Sequence, residues 1–192
     1  TKGGTYVLTY EGGATRTVTV TADVTNPTLS WAEGFGDPLE TNDKAQISVA
    51  ATDVVASDTL DGALTAVITV KAPDSEEYVA YSEDIFTKCG AYTIRYTATD
   101  AAGHSAYLER TVTLIHNYGA WTDNKDGTHS QTCANCGDVK TENCTWNEGV
   151  ITTEPTCTQT GVKTYTCSVC GATKTETVAA LGHTGGTATC HS

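Results

Sequence analysis

Gly90-Ala-Tyr-Thr-Ile-Arg-Tyr96 alternates apolar and polar side chains with a period of two. Tyr92, Ile94 and Tyr96 fall on one side of an extended chain, and Thr93, Arg95 and Thr97 on the other. This is the pattern of a half-buried strand. A polar turn over residues 100–105 and a second run of strand formers over 107–115 complete a hairpin. The stretch also occurs twice. Thr1-Lys-Gly-Gly-Thr-Tyr-Val-Leu-Thr-Tyr10 matches Thr87-Lys-Cys-Gly-Ala-Tyr-Thr-Ile-Arg-Tyr96, and Arg-Thr-Val-Thr follows each copy, at Arg16 and at Arg110.

Working outward, residues 1–21 read as the last hairpin of a preceding domain, and residues 24–115 as one whole domain of the same type. Within it, Pro27 and Pro38 suit an edge strand or loop. Residues 45–52 read as a strand with Ile47 and Val49 on one face, and residues 64–70 as another after the Asp61-Gly62 turn. Pro73 marks a break, and residues 78–86 read as a strand and loop. Short strands punctuated by turns at this density predict an all-β sandwich.

Two segments carry a family resemblance. Phe86-Thr-Lys-Cys-Gly-Ala-Tyr-Thr-Ile-Arg-Tyr-Thr-Ala-Thr-Asp-Ala-Ala-Gly-His-Ser105 resembles the closing hairpin of bacterial immunoglobulin-like repeats. Ala51-Thr-Asp and Asp61-Gly-Ala-Leu-Thr65 resemble their central hairpin. The resemblance implies an immunoglobulin-like β-sandwich over residues 24–115. In that family such domains are spacers or adhesive modules of surface proteins, often beside glycosidases or peptidases. A sandwich hosts many functions, so the resemblance speaks to fold more than to role.

A second repeat system begins at His116. Thr132-Cys-Ala-Asn-Cys-Gly-Asp-Val-Lys-Thr-Glu142 matches Thr166-Cys-Ser-Val-Cys-Gly-Ala-Thr-Lys-Thr-Glu176. His116-Asn-Tyr118 and Cys144-Thr-Trp146 stand at equivalent starts, which divides the segment into repeats at 116–143 and 144–183. Residues 184–192 read as the start of a third repeat. The chain begins at Thr1 and stops at Ser192 in mid-repeat, so a fragment of a longer protein is expected.

Two thiolates three positions apart around a tight turn can share one tetrahedral metal ion, and a following Gly lets the chain reverse. Each repeat has too few aliphatic side chains for a core of its own and needs a staple. Structural zinc supplies on the order of 10–16 kcal/mol in such small folds. Repeat equivalence assigns His116, Cys133, Cys136 and Cys144 to one ion, and Cys157, Cys167, Cys170 and His183 to another. A straight strand before Cys167 would hold Cys157 at its far end, however. Either the chain bends back there, or one ion draws on both repeats, as in a zinc ribbon built from Cys133, Cys136, Cys167 and Cys170 with Cys144 and Cys157 left over. His129 is a substitute ligand in that scheme, and Cys89, which takes the place of Gly3, stands outside both sets. The tandem segment resembles small zinc-ribbon-like Cys/His-rich repeats found next to bacterial immunoglobulin-like domains. Disulfides are the competing reading, because secreted chains favour them.

Composition bounds the partners. With 23 acidic against 11 basic residues, the net charge is −12. That opposes a nucleic-acid backbone or an anionic lipid surface as partner. No apolar run approaches the roughly 20 residues of a membrane helix. No thioredoxin-like βαβ pattern surrounds either Cys-x-x-Cys, and no Ser/His/Asp order, phosphate loop or paired-carboxylate motif is present. Asp53, Asp58, Asp61 and Asp100 fall in predicted loops, where they could hold calcium or simply stabilise turns. Tyr78, Tyr81, Trp121 and Trp146 read as packing residues before a carbohydrate platform. The expectation is therefore a non-catalytic extracellular spacer of a bacterial surface protein, secreted or held at the cell surface, with structural zinc. Its alternatives are an adhesive module for host or cell-wall glycan or protein, and an accessory region of a larger secreted glycosidase or peptidase.

Overall fold

The computed structural model describes residues 3–183, so the third repeat expected at 184–192 lies outside the described residues. The chain divides into two units, Thr1–Asn117 and Tyr118–Ser192. Both are all-β.

The first unit opens with β1 (Gly4–Thr9) and β2 (Thr15–Val20), an antiparallel two-stranded ribbon. Eight further strands follow: β3 (Thr28–Trp31), β4 (Leu39–Thr41), β5 (Val54–Asp58), β6 (Gly62–Leu64), β7 (Val67–Lys71), β8 (Tyr78–Ala80), β9 (Gly90–Thr99) and β10 (Ser105–Leu114). They form a five-stranded sheet in the order β4-β10-β9-β7-β8 and a three-stranded sheet in the order β3-β5-β6. All pairings are antiparallel except β4 with β10.

The period-two pattern sets the core. Tyr92, Ile94, Tyr96, Val112, Leu114 and Val70 of the larger sheet are fully buried, and Val54 of the smaller sheet packs against them with Leu29 and Trp31. Trp31 meets Tyr96 edge-on at 5.5 Å between ring centroids, and Phe86 meets Tyr92 at 4.9 Å. Each such side chain contributes roughly 1.5–3 kcal/mol of transfer free energy. The β1–β2 ribbon repeats the register of the buried hairpin. Tyr6 faces Val18 and Leu8 faces Arg16, as Tyr92 faces Val112 and Ile94 faces Arg110. Its side chains stay open nonetheless, Tyr6 at 46 % exposure against 0 % for Tyr92.

The strand expected at residues 45–52 does not form. Two 3₁₀ turns, Lys44–Gln46 and Ala51–Asp53, take its place. The reason is local: Asp43 Oδ1 accepts the Ala45 N–H at 3.0 Å and Asp53 Oδ2 accepts the Ala50 N–H at 3.0 Å, so side chains capture donors that a ladder would need. Ile47 and Val49 still pack against the core. β5 begins immediately after this segment and pairs with β6 in the hairpin expected around the Asp61-Gly62 turn.

The second unit consists of two small sheets of the same plan. β11 (Thr122–Asp123), β12 (Thr128–Thr132) and β13 (Val139–Asn143) form one, and β14 (Val150–Thr153), β15 (Gly161–Thr166) and β16 (Thr173–Val178) the other. Among its described residues the fully buried side chains are Cys133, Cys167 and His129, with no aliphatic among them. An apolar core does not hold this unit together.

Candidate metal centre in the cysteine-rich unit

The turn between β12 and β13 and the turn between β15 and β16 are built alike. Cys133 N–H donates to Asp138 O at 2.8 Å and Gly137 N–H to Cys133 O at 2.9 Å. In the second sheet Cys167 N–H donates to Ala172 O at 2.7 Å and Gly171 N–H to Cys167 O at 3.1 Å. Gly137 and Gly171 have φ of +75° and +73°, a conformation in which a Cβ is disfavoured. The segment before each sheet pairs with its knuckle through single bridges, Tyr118 with Cys133 and Trp146 with Cys167. Tyr118 donates its phenol to Asp138 Oδ2 at 2.5 Å; that bond, with burial, pushes the phenol up to about 12.

Four side chains of this unit converge: His129, Cys144, Cys167 and Cys170, with all ligand atoms within 4.8 Å of one another. Each is positioned by backbone. His129 lies on the middle strand β12, opposite Asp123 of β11 and Glu142 of β13. Cys144 follows β13, and its N–H donates to Gly127 O at 2.8 Å. The chain after it is fastened to the second knuckle: Ser168 N–H donates to Thr145 O at 3.0 Å, Asn147 N–H to Thr166 O at 3.1 Å, and Thr166 N–H to Asn147 Oδ1 at 2.9 Å. Cys167 and Cys170 come from that knuckle.

The spacing fits one tetrahedral ion. His129 Nδ1 is 3.6 Å from Cys144 Sγ and 3.6 Å from Cys167 Sγ, and Cys144 Sγ is 3.9 Å from Cys170 Sγ. Zinc–sulfur and zinc–nitrogen bonds of about 2.3 and 2.0–2.1 Å at tetrahedral angles give edges of about 3.8 Å between sulfurs and about 3.6 Å between sulfur and nitrogen. Three thiols and one imidazole are also an accepted structural donor set for zinc. His129 is 1 % exposed, and Trp121 packs edge-on against its ring at 4.5 Å between centroids. The Nε2 atom is buried with no hydrogen-bond partner, so Nδ1 is the atom turned to the sulfurs.

The sulfurs perturb one another. Burial, reinforced by Cys167 and Cys170, pushes the Cys144 thiol up to about 12. Burial also opposes ionisation of Cys167, but the backbone N–H groups of Cys170 and Val169 and the thiols of Cys170 and Cys144 outweigh it and bring Cys167 down to about 6. Three thiolates at this distance repel, and a divalent cation is what would let all of them ionise.

The assembled four differ from both sets drawn by repeat equivalence and from the four-cysteine ribbon. Cys144 leaves the first set to join Cys167 and Cys170, and His129 supplies the fourth donor. Cys157 stands before β15, at the end remote from the knuckle, and is disulfide-bonded. The straight run of Gly161–Thr166 imposes that separation, at about 3.3 Å per residue. His183 is exposed and is not part of the cluster. Cys133 and Cys136 form the first knuckle of the second unit, and His116 is the last residue but one of the first unit. The six cysteines Cys89, Cys133, Cys136, Cys144, Cys167 and Cys170 carry no disulfide. The one signal for His129 in the sequence is a lone imidazole amid Thr, Ser and Gln on a central strand.

The other singled-out residues have packing roles. Tyr78 donates to Glu109 at 2.5 Å and stacks on Arg95, Tyr81 packs against the sandwich core, and Lys174 covers Trp146 at 4.8 Å. Asp53 is not at a loop tip; it is buried and accepts the Tyr96 phenol at 2.6 Å. Among the described residues no helix is long and apolar enough to cross a membrane.

No family model matches the chain, and no curated protein matches it. Among solved structures, one of CBM51-2 in complex with GlcNAc and INT domains from Clostridium perfringens ZmpB is similar at 16 % sequence identity. The likeness covers 73 % of this chain and 29 % of that chain with a TM-score of 0.30. The chain thus spans less than a third of that structure's length, and a likeness at that level assigns neither fold nor function.

Proposed function

We propose that the chain is a non-catalytic structural spacer of an extracellular bacterial surface protein, in which a zinc ion rivets consecutive cysteine-rich repeats. The observation that supports this reading is the origin of the four donors. His129 comes from the first small sheet, Cys167 and Cys170 from the second, and Cys144 from the strap between them. Zinc held by these residues would supply what the unit lacks, a cohesive centre in place of an apolar core. With four protein donors no coordination position is left for a substrate, which argues for structure over catalysis. The acidic surface, the disulfide at Cys157 and the short connections suit a protease-exposed setting outside the cell.

The test is metal content after purification without chelators, by atomic emission, with His129→Ala beside the parent chain. The reading expects the variant to carry one zinc fewer per chain. Equal zinc in both, or stoichiometric disulfides among Cys144, Cys167 and Cys170, would sink it.

One observation favours an adhesive role as a second reading. A hollow of about 260 Å³ beside Trp146 is lined by Asp123, Lys125, Gly127, Thr173 and Lys174. Aromatic and cationic groups of this kind suit a glycan or an acidic peptide. Glycan-array binding lost in Trp146→Ala would promote that reading, and a blank array would remove it.

A further inference from the structure

The β1–β2 ribbon is a second copy of the hairpin that closes the sandwich, and its inner face is open. Gly4, Tyr6 and Leu8 face Val20, Val18 and Arg16, as Gly90, Tyr92 and Ile94 face Leu114, Val112 and Arg110. Tyr10 follows at the position that Tyr96 holds after Ile94. In β9 and β10 the inward residues Tyr92, Ile94, Tyr96, Val112 and Leu114 are fully buried. In the ribbon Tyr6, Leu8 and Tyr10 are 46 %, 48 % and 51 % exposed. Single exposed apolar residues are ordinary, but here a whole face stands open in the register of a core.

The same chain shows what covers such a face. β7 pairs antiparallel with β9, setting Val70 opposite Ile94 and Ile68 opposite Tyr96, and β4 pairs with β10 through Leu39 and Val112. Val54 of β5 packs on the inner face with Leu29 and Trp31 of β3. Polar groups complete the fit. The Tyr96 phenol donates to Asp53 at 2.6 Å, and the Arg110 guanidinium donates to Ser48 O at 2.8 Å. The ribbon is a sheet of two strands, so among the described residues neither of its outer edges has a neighbouring strand. A lone hairpin is marginal in water, and open edges invite pairing.

We propose that the open face of the ribbon docks the remaining strands of another sandwich of this type, a unit with counterparts of β3–β8 and no closing hairpin of its own, with β1 as the strand that pairs. The differences between the two hairpins agree with that occupant. Inward positions keep their character: Tyr6 stands for Tyr92, Leu8 for Ile94, Tyr10 for Tyr96, Val18 for Val112 and Val20 for Leu114. These swaps nearly preserve core volume. Outward positions differ in kind, Val7 for Thr93 and Thr9 for Arg95.

Arg16 points to the same partner. It stands where Arg110 does, and a core accepts a guanidinium there only with an acceptor waiting, as Ser48 O waits for Arg110. A second whole copy of this chain offers no such surface, because its own β9 and β10 already fill the place beside β7 and β4. The inference adds to the spacer reading a joint of a different kind, and it is independent of the zinc centre.

The experiment supplies the occupant. Residues 22–86 are duplicated ahead of Thr1 in the full chain, so that a second Phe86 runs into Thr1-Lys-Gly-Gly as the first runs into Thr87-Lys-Cys-Gly. Hydrogen exchange and thermal melts then compare the extended chain with the parent. The extended chain is expected to protect the amides of β1 and β2 about hundredfold or more over the parent, and to show an added unfolding transition. Leu8→Glu, at a position exposed in the parent, should abolish both gains and leave the transition of residues 24–115 unchanged. Val7→Thr, on the outward face, should preserve both gains. Equal exchange of the ribbon in the two chains, added strands that stay unfolded or aggregate, or protection that Leu8→Glu does not touch would overturn the proposal. So would a parent chain that sediments as a dimer with its ribbon already protected, which would make a second copy the occupant.

Discussion

His129 Nδ1 lies 3.6 Å from Cys167 Sγ, although the two residues are 38 positions apart and stand on different three-stranded sheets. The two small sheets therefore share a centre that neither contains alone. No aliphatic side chain is fully buried among the described residues of this unit, and a shared set of soft donors is one means of holding two sheets in one arrangement.

Replacing His129 or Cys167 should cost the cysteine-rich unit its metal and most of its cooperative unfolding. His129→Ala and Cys167→Ser are each expected to lose one zinc per chain and the thermal transition of this unit, with the sandwich transition unchanged. Trp121→Ala, which removes the ring packed on His129, should keep the stoichiometry but lower zinc affinity about 10–100-fold. Competition with a chromogenic zinc chelator measures both.

Metal removal should loosen the strap between the sheets. The segment after Cys144 is fixed to the second knuckle through Thr145, Asn147 and Ser168. After dialysis against a strong chelator, limited proteolysis is expected to cut first at residues 144–149, and thiol titration to show Cys144, Cys167 and Cys170 newly reactive. Protection that persists after the metal is gone would contradict this.

In the sandwich, Tyr96→Phe should be costly despite its small change in volume. The phenol donates to buried Asp53 at 2.6 Å, and burial together with that carboxylate pushes its ionisation far above the ordinary tyrosine range. Removing the hydroxyl deprives a buried carboxylate of a donor, at about 1–3 kcal/mol. Urea denaturation followed by tryptophan fluorescence reads it.

Acid should weaken the outer face of the larger sheet in a way traceable to Glu109. The Tyr78 hydroxyl, helped by Arg95 and opposed by burial, holds this carboxyl below its ordinary 4.5. The folded state thus favours the ionised form. Its contribution is complete above the unfolded value and is lost as pH falls through the lower folded value. The side chains are about a third exposed, so the effect should stay below about 1 kcal/mol. Glu109→Gln is expected to flatten the pH dependence of stability below about pH 4.5.

Gly161→Ala should disturb the second small sheet more than its first position in β15 suggests. A Cβ there would lie 2.6 Å from Thr153 O and 2.7 Å from the Pro155 ring. The backbone must shift to admit it, at about 1–3 kcal/mol. Loss of zinc affinity in this variant would show that strand position and metal centre are coupled.

Much of the sandwich was legible because its determinants are local. The alternation at residues 92–96 puts Tyr92, Ile94 and Tyr96 on one face, and β9 and β10 emerge where the pattern puts them. Residues 45–52 show the limit. Ile47 and Val49 have the alternation of a strand, but Asp43 and Asp53 claim backbone donors, and only packing reveals which use of those N–H groups prevails.

The sequence by itself determined the all-β class, the two repeat systems and the knuckles at Cys133–Gly137 and Cys167–Gly171, because each is written within a few consecutive residues. It also named Cys144, Cys167 and Cys170 as metal-ligand candidates. Tertiary structure alone decided their company. Repeat equivalence holds each repeat's donors together, but a straight β15 carries Cys157 away from the knuckle, while the strap from β13 delivers Cys144 and β12 delivers His129. Coordination is set by where atoms meet in three dimensions, and sheet placement fixes that meeting without leaving a local mark in the chain.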